Sequence, residues 1–221
     1  MLTRIAGFLA VVAFWASAAL AGPMEDGAEA YRYGDFAGAM SAWLPLAESG
    51  DAAAQLNVGI LHDVGKGVSQ DRVAAAHWYR MAADNGNVPA MFNLGLMYEG
   101  NEGVEQDIET ALHWFRMAAE GGDVLAQFKL GSYYEYGTHV AQDHREALEY
   151  YLMSAAQRHA PSMFRVAALY TNGIGIERNL GEANRWNERA DDAQMSGLTS
   201  AACNQRSVVE EENCRRTTPR W

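Results

Sequence analysis

Apolar residues in this chain recur at two scales, at helical spacing within short stretches and again at a fixed interval along its whole length. Residues 75–86 (AAHWYRMAADNG) return almost unchanged as residues 111–122, and Trp78, Trp114, Tyr150 and Trp186 follow one another at a single interval of 36 residues (114 − 78 = 36). A constant period of this length marks a repeat array, in which each unit buries one face against its neighbour. Four units, 51–86, 87–122, 123–158 and 159–194, fill the segment 51–195 without insertion or deletion.

Each unit predicts two antiparallel helices. In the first unit one helix covers 52–64, a loop follows at 65–70, and Asp71 opens the second helix. Asp71, Asp107, Asp143 and Asn179 share that opening position, where a side-chain oxygen can accept the unpaired amide hydrogens of the first turn. The three aspartates also favour the positive end of the helix dipole. In the loop, Gly67, Gly103 and Gly175 share one place and are followed by Val68, Val104 and Ile176. The glycine is expected to supply a positive φ and the branched residue to plug the gap between helices. His139 takes the glycine's place before Val140, so the loop of the third unit is expected to differ in shape.

Along the first helices, Val58-Gly59, Leu94-Gly95, Leu130-Gly131 and Val166-Ala167 set a large residue beside a small one, which lets two helices approach closely. Ala75, Ala111, Ala147 and Ala183 are the matching small contacts on the second helices, and the Trp or Tyr that follows is expected to pack against the next unit. Residues 22–50 read as an N-terminal capping pair, with a short helix over 26–34 and a second from Asp35 through Leu46, whose last turn Pro45 is expected to kink or loosen. Residues 196–221 read as a C-terminal cap and tail, with an acidic run at 210–212 and a basic end at Arg215, Arg216 and Arg220.

Arg4, the apolar run 5–20 and the small residues around Ala21 make residues 1–21 a secretory signal peptide cut after Ala21, which places the mature protein in the periplasm or outside the cell. No later segment is apolar enough to span a bilayer, and Gly22 at the new terminus offers no thiol for a lipid, so no membrane insertion is expected after cleavage. In such a compartment Cys203 and Cys214, both beyond the repeats, are expected to form a disulfide worth about 2 to 3 kcal/mol. The net charge of −11 argues against nucleic acid and anionic membrane surfaces as partners.

Candidate chemistry is sparse. His77 and His113 precede Trp at one repeat position, but Glu149 and Arg185 follow them there, so the position accepts any polar side chain. No spacing of His, Cys, Asp or Glu completes a metal site, and there is no nucleophile elbow or phosphate loop. The sequence asks for no cofactor and presents no catalytic constellation.

With residues 94–98 (LGLMY), Gly103-Val104, Asp107, Ala111, Trp114-Phe115 and residues 118–121 (AAEG), the second unit resembles a Sel1-like repeat, a longer-loop relative of the tetratricopeptide repeat, and the resemblance covers residues 26–195. It implies an all-α, right-handed superhelical solenoid of antiparallel helix pairs that serves as a protein-binding scaffold. The fourth unit departs most, with Ala167 for glycine, Asn187 for the second aromatic and Asp191 for alanine. Some cysteine-rich relatives are linked to β-lactam hydrolysis, but they carry a cysteine pair in each repeat and these repeats carry none.

By the same resemblance the first helices line the concave face, where positions i, i+4 and i+7 lie together. Phe92, Phe128 and Phe164 form an aromatic lane there beside a ladder of carboxylates, Asp63, Glu99 and Glu135. The lane is expected to hold a protein or peptide segment bearing basic residues, in a non-enzymatic adaptor or regulator. The alternative reading is a cell-envelope hydrolase acting on cell-wall or β-lactam-type substrates.

Overall fold

A computed structural model describes residues 22–204, with side chains through Ser196. The expected signal peptide, the side chain of Cys203, and the tail with Cys214 and its basic end lie outside the described residues. Ten helices follow one another: α1 (Pro23–Arg32), α2 (Phe36–Glu48), α3 (Ala52–Val64), α4 (Arg72–Asp84), α5 (Val88–Gly100), α6 (Ile108–Glu120), α7 (Val124–Tyr136), α8 (His144–Ala156), α9 (Ala160–Asn172) and α10 (Leu180–Asn204). There is no strand among the described residues. Each helix packs against the next in sequence, so the pairs stack into an all-α solenoid.

The helix starts follow from the side chains placed there. Asp71, Asp107 and Asp143 accept amide hydrogens from the first turns of α4, α6 and α8, and Asn179 does the same for α10 through the Glu182 amide at 3.0 Å. Asp51, Asn87 and Asp123 do so for the first helices of the first three units. His159 stands at that place in the fourth unit and makes no cap hydrogen bond to the backbone. The opening pair differs from expectation at both ends. Helix α1 starts at Pro23, a residue suited to a first helical position, and α2 runs past Pro45 to Glu48. Pro45 withholds one amide near the C-terminal end, and the helix carries on without it.

The loop glycines are explained by close approach. A Cβ at Gly67 would lie 2.5 Å from the Phe36 carbonyl carbon, one at Gly103 2.1 Å from the Arg72 oxygen, and one at Gly175 2.6 Å from the His144 oxygen. Each of these loops therefore rests on the first residue of the preceding unit's second helix. His139 keeps the positive φ, 65°, but carries the Cβ that the other three loops exclude.

The core is built by the second aromatic of each pair. Tyr79, Phe115 and Tyr151 are buried, and a Cβ on Gly59, Gly95 or Gly131 would fall 2.7, 2.6 or 2.7 Å from the ring of the same unit. Each glycine on the first helix is thus the seat for a ring on the second. Trp114 turns the opposite way from expectation, lying beneath the Arg80 guanidinium of the preceding unit at 5.5 Å, because the flank of α6 that faces forward carries Glu109, Leu112 and Arg116. In the last unit Asn187 stands in the ring position and is exposed, while Ala167 fills its seat. Asn184 and Asp191 are also exposed where the equivalent Leu148 and Ala155 are buried. These polar residues give the array a solvated end. Helix α10 is 25 residues long, against 13 for each helix from α2 to α9.

Candidate binding face

On each first helix the buried residues face the partner helix, which leaves one stripe toward solvent. In α5 that stripe includes Phe92, Leu96 and Glu99, and in α7 it includes Phe128, Lys129, Ser132 and Glu135. The three phenylalanines do not form a continuous lane of touching rings. Phe92 leans on Phe115 at 5.7 Å and Phe128 on Tyr151 at 5.6 Å, so each half-buried ring belongs to its own unit's core, while Phe164 is 38% exposed. The apolar surface of the stripe comes as much from residues the sequence reading passed over, Leu125 and Tyr136, which are 51% and 54% exposed. Both sit one position off the i, i+4, i+7 rows, on the same helix face.

The carboxylate ladder is engaged within the chain. Asp63 accepts from the Tyr79 hydroxyl at 3.4 Å and pairs with Arg72 at 3.7 Å. Glu99 accepts from the Tyr133 hydroxyl, pairs with Lys129 at 2.7 Å, and lies 3.9 Å from His139. Glu135 accepts from the Tyr151 hydroxyl at 2.6 Å and pairs with Arg165 at 3.5 Å. Lys129 and Arg165 occupy one repeat position, on the first helix of the following unit, so these two pairs also fasten unit to unit. Burial and the neighbouring carboxylates push the Tyr79, Tyr133 and Tyr151 hydroxyls far above their ordinary range, which keeps them protonated donors.

One other cluster has the atom types of a nucleophile and its base. His159 Nδ1 lies 2.8 Å from the Ser162 hydroxyl and 3.1 Å from that of Ser154, and the two hydroxyls are 2.7 Å apart. Both serines are fully buried, so no substrate reaches them, and the cluster fastens α8 to α9 where other units have an Asp or Asn cap. Burial pushes the His159 pKa down. No group of three or more metal-ligating side chains occurs among the described residues, and no described helix is long and apolar enough to cross a membrane.

Four consecutive segments, residues 52–87, 88–123, 124–159 and 160–190, match the family model of the Sel1 repeat. Among solved structures the chain is similar to a Sel1 repeat protein from Oxalobacter formigenes, with 26% identity and a TM-score of 0.73 over 89% of this chain and 85% of that one. It is also similar in fold to a protective antigen present in uropathogenic Escherichia coli strains displaying an SLR fold, with 22% identity and a TM-score of 0.72 over 88% of this chain. The match spans 45% of that longer relative. No curated protein matches the sequence.

Proposed function

The chain belongs to the Sel1 repeat family, a scaffold architecture that typically serves protein–protein interaction, and on that premise we propose that it is an exported adaptor that binds a partner polypeptide along its first-helix face. The observation that supports this most is the exposed apolar set at Leu96, Leu125, Tyr136 and Phe164, carried on three successive first helices. Tyr136, the most exposed of the four, is of the residue type enriched in binding hot spots, and the other three extend the apolar surface around it. The engaged carboxylates change their part in the proposal. Glu99 and Glu135 fix Lys129 and Arg165 in place and so pre-organise the face, while the chain's overall negative charge still favours a basic partner at long range. The signal-peptide pattern of residues 1–21 supports the periplasm as the place of action.

The test is photo-cross-linking in the producing cell from a reactive side chain at Leu96 or Leu125, with Val73 and His77 on the second helices as control positions. The adaptor reading expects one discrete protein adduct from the first-helix positions and none from the controls. Equal labelling at all four, or none, would sink it. Terminal sequencing of the mature chain checks export, and a start at Gly22 is the expected result.

A further inference from the structure

A second, smaller site sits at the joint between the second and third units, away from the first-helix face. An open cleft with room of about 660 Å³ lies there between α6 and the loop that precedes α8. It lies where His139 replaces glycine. The other three loops settle onto the preceding second helix only because they lack a Cβ, whose place would fall 2.1 to 2.6 Å from backbone atoms. His139 has that Cβ at the same positive φ, and its imidazole is directed edge-on to Tyr133 at 5.2 Å and 3.9 Å from Glu99. A non-glycine residue held at positive φ is a strained choice, of the kind that gathers at functional positions.

The same joint holds its arginine differently, with its charge felt by the Tyr150 hydroxyl. Between the first and second units, Arg80 donates to the Tyr98 hydroxyl and lies over the Trp114 ring. Arg116 and Tyr134 are their equivalents one unit later, but Tyr134 is stacked flat on Tyr150, with ring centres 5.7 Å apart and planes 10° apart. The Arg116 guanidinium donates no hydrogen bond and forms no ion pair among the described residues, although it is half-buried and lines the cleft. Two carboxylates line it as well, Glu109 and Asp143, and Leu112 and Val140 supply apolar wall. One oxygen of Asp143 caps α8, which leaves the other free. One cation and two carboxylates disfavour a polyphosphate and complement a ligand with one anionic and one cationic end.

We propose that this cleft binds a short peptide with both termini free, its carboxylate on Arg116, its ammonium toward Glu109 and Asp143, and an apolar side chain against Leu112 and Val140. The site is independent of the first-helix face. Calorimetric titration of the mature chain with alanyl-leucyl-alanine tests it. Saturable binding of one peptide per chain is expected, weakened about tenfold or more by acetylating the amino end, by amidating the carboxyl end, and by Arg116→Gln. His139→Gly restores the loop of the other units and is expected to close the cleft and abolish binding while the chain stays folded. Arg80→Gln, at the joint where the arginine is already engaged, is expected to leave binding unchanged. Absence of saturable heat at millimolar peptide overturns the proposal, as does equal affinity for the acetylated or amidated peptide, or unchanged binding by His139→Gly.

Discussion

Tyr133 of the third unit donates its hydroxyl to Glu99 of the second, across the joint, whereas Tyr79 and Tyr151 serve Asp63 and Glu135 within their own units. The difference traces to Phe115, which occupies the place of Tyr79 and Tyr151 and has no hydroxyl to give. Position 133 compensates, because Met97 and Leu169 stand there in the neighbouring units. Tyr133→Phe is expected to cost about 1 to 3 kcal/mol, the usual worth of a hydrogen bond to a charged group. Adding Phe115→Tyr to that variant moves the donor back into the second unit and is expected to recover most of the loss. Urea unfolding of the two single variants and the double variant gives the coupling directly.

The glycine seats make a prediction of opposite sign in different units. Gly95→Ala places a methyl 2.6 Å from the Phe115 ring, so the ring or the helix has to shift, and a loss of about 1 to 3 kcal/mol is expected. In the fourth unit the ring is absent and the methyl is already there, as Ala167 facing the site of Asn187. Ala167→Gly is expected to cost about 1 kcal/mol through helix propensity and lost packing. A gain or no change on Gly95→Ala, measured by thermal or urea unfolding, would break the account of glycine as a seat for the ring.

The tyrosine hydroxyls predict an alkaline limit. Folded Tyr79, Tyr133 and Tyr151 have pKa values raised from 10.0, chiefly by burial and then by Asp63, Glu99 and Glu135. A raised folded pKa contributes stability that is complete below the unfolded value and is lost as the pH climbs above it. Stability is therefore expected to fall above about pH 10, with tyrosinate absorbance appearing together with unfolding. Early, non-cooperative appearance of that absorbance in the folded chain would contradict the buried hydrogen bonds.

Much of the fold was legible because its determinants lie within one unit and repeat. The caps at Asp71, Asp107 and Asp143 act on amides a few residues away, and the interval of 36 residues displays that position four times; the glycine at 67, 103 and 175 is visible by the same alignment, although it acts on the preceding unit's second helix. The positive φ at His139 follows from the same alignment. The candidate face was legible only in part. Phe92, Phe128, Asp63, Glu99 and Glu135 were visible by position, but the engagement of Glu99 and Glu135 involves Lys129, Arg165 and Tyr133, which reach across a joint from the next unit. Aligning units shows which residues are equivalent, and it does not show which flank of a helix meets which neighbour. The turn of Trp114 toward Arg80 of the preceding unit is not legible in the alignment for that reason. The cleft at Arg116 was hidden in the same way, since the sequence marks His139 as an exception but not the space beside it.

His159 carries the last prediction. It replaces the Asp or Asn cap of the other units and is held by Ser154 and Ser162, residues that are alanine at the matching places in the other units, Ala82, Ala118 and Ala190 for the first and Ala54, Ala90 and Ala126 for the second. Phe128 lies edge-on to its ring at 5.1 Å, and burial lowers its pKa from 6.5. A base with a lowered folded pKa gives stability that is present above the unfolded value and lost as the pH falls below it, because the unfolded chain takes up the proton first. The joint between α8 and α9 is therefore expected to loosen below about pH 6.5. His159→Asp restores the cap used at Asp51 and Asp123 and is expected to flatten that acid slope. Amide hydrogen exchange along α9, followed as the pH is lowered and corrected for the intrinsic rate, reads the joint directly. Protection in α9 that is independent of pH in the unaltered chain, or an acid slope that survives His159→Asp, would remove His159 from the account.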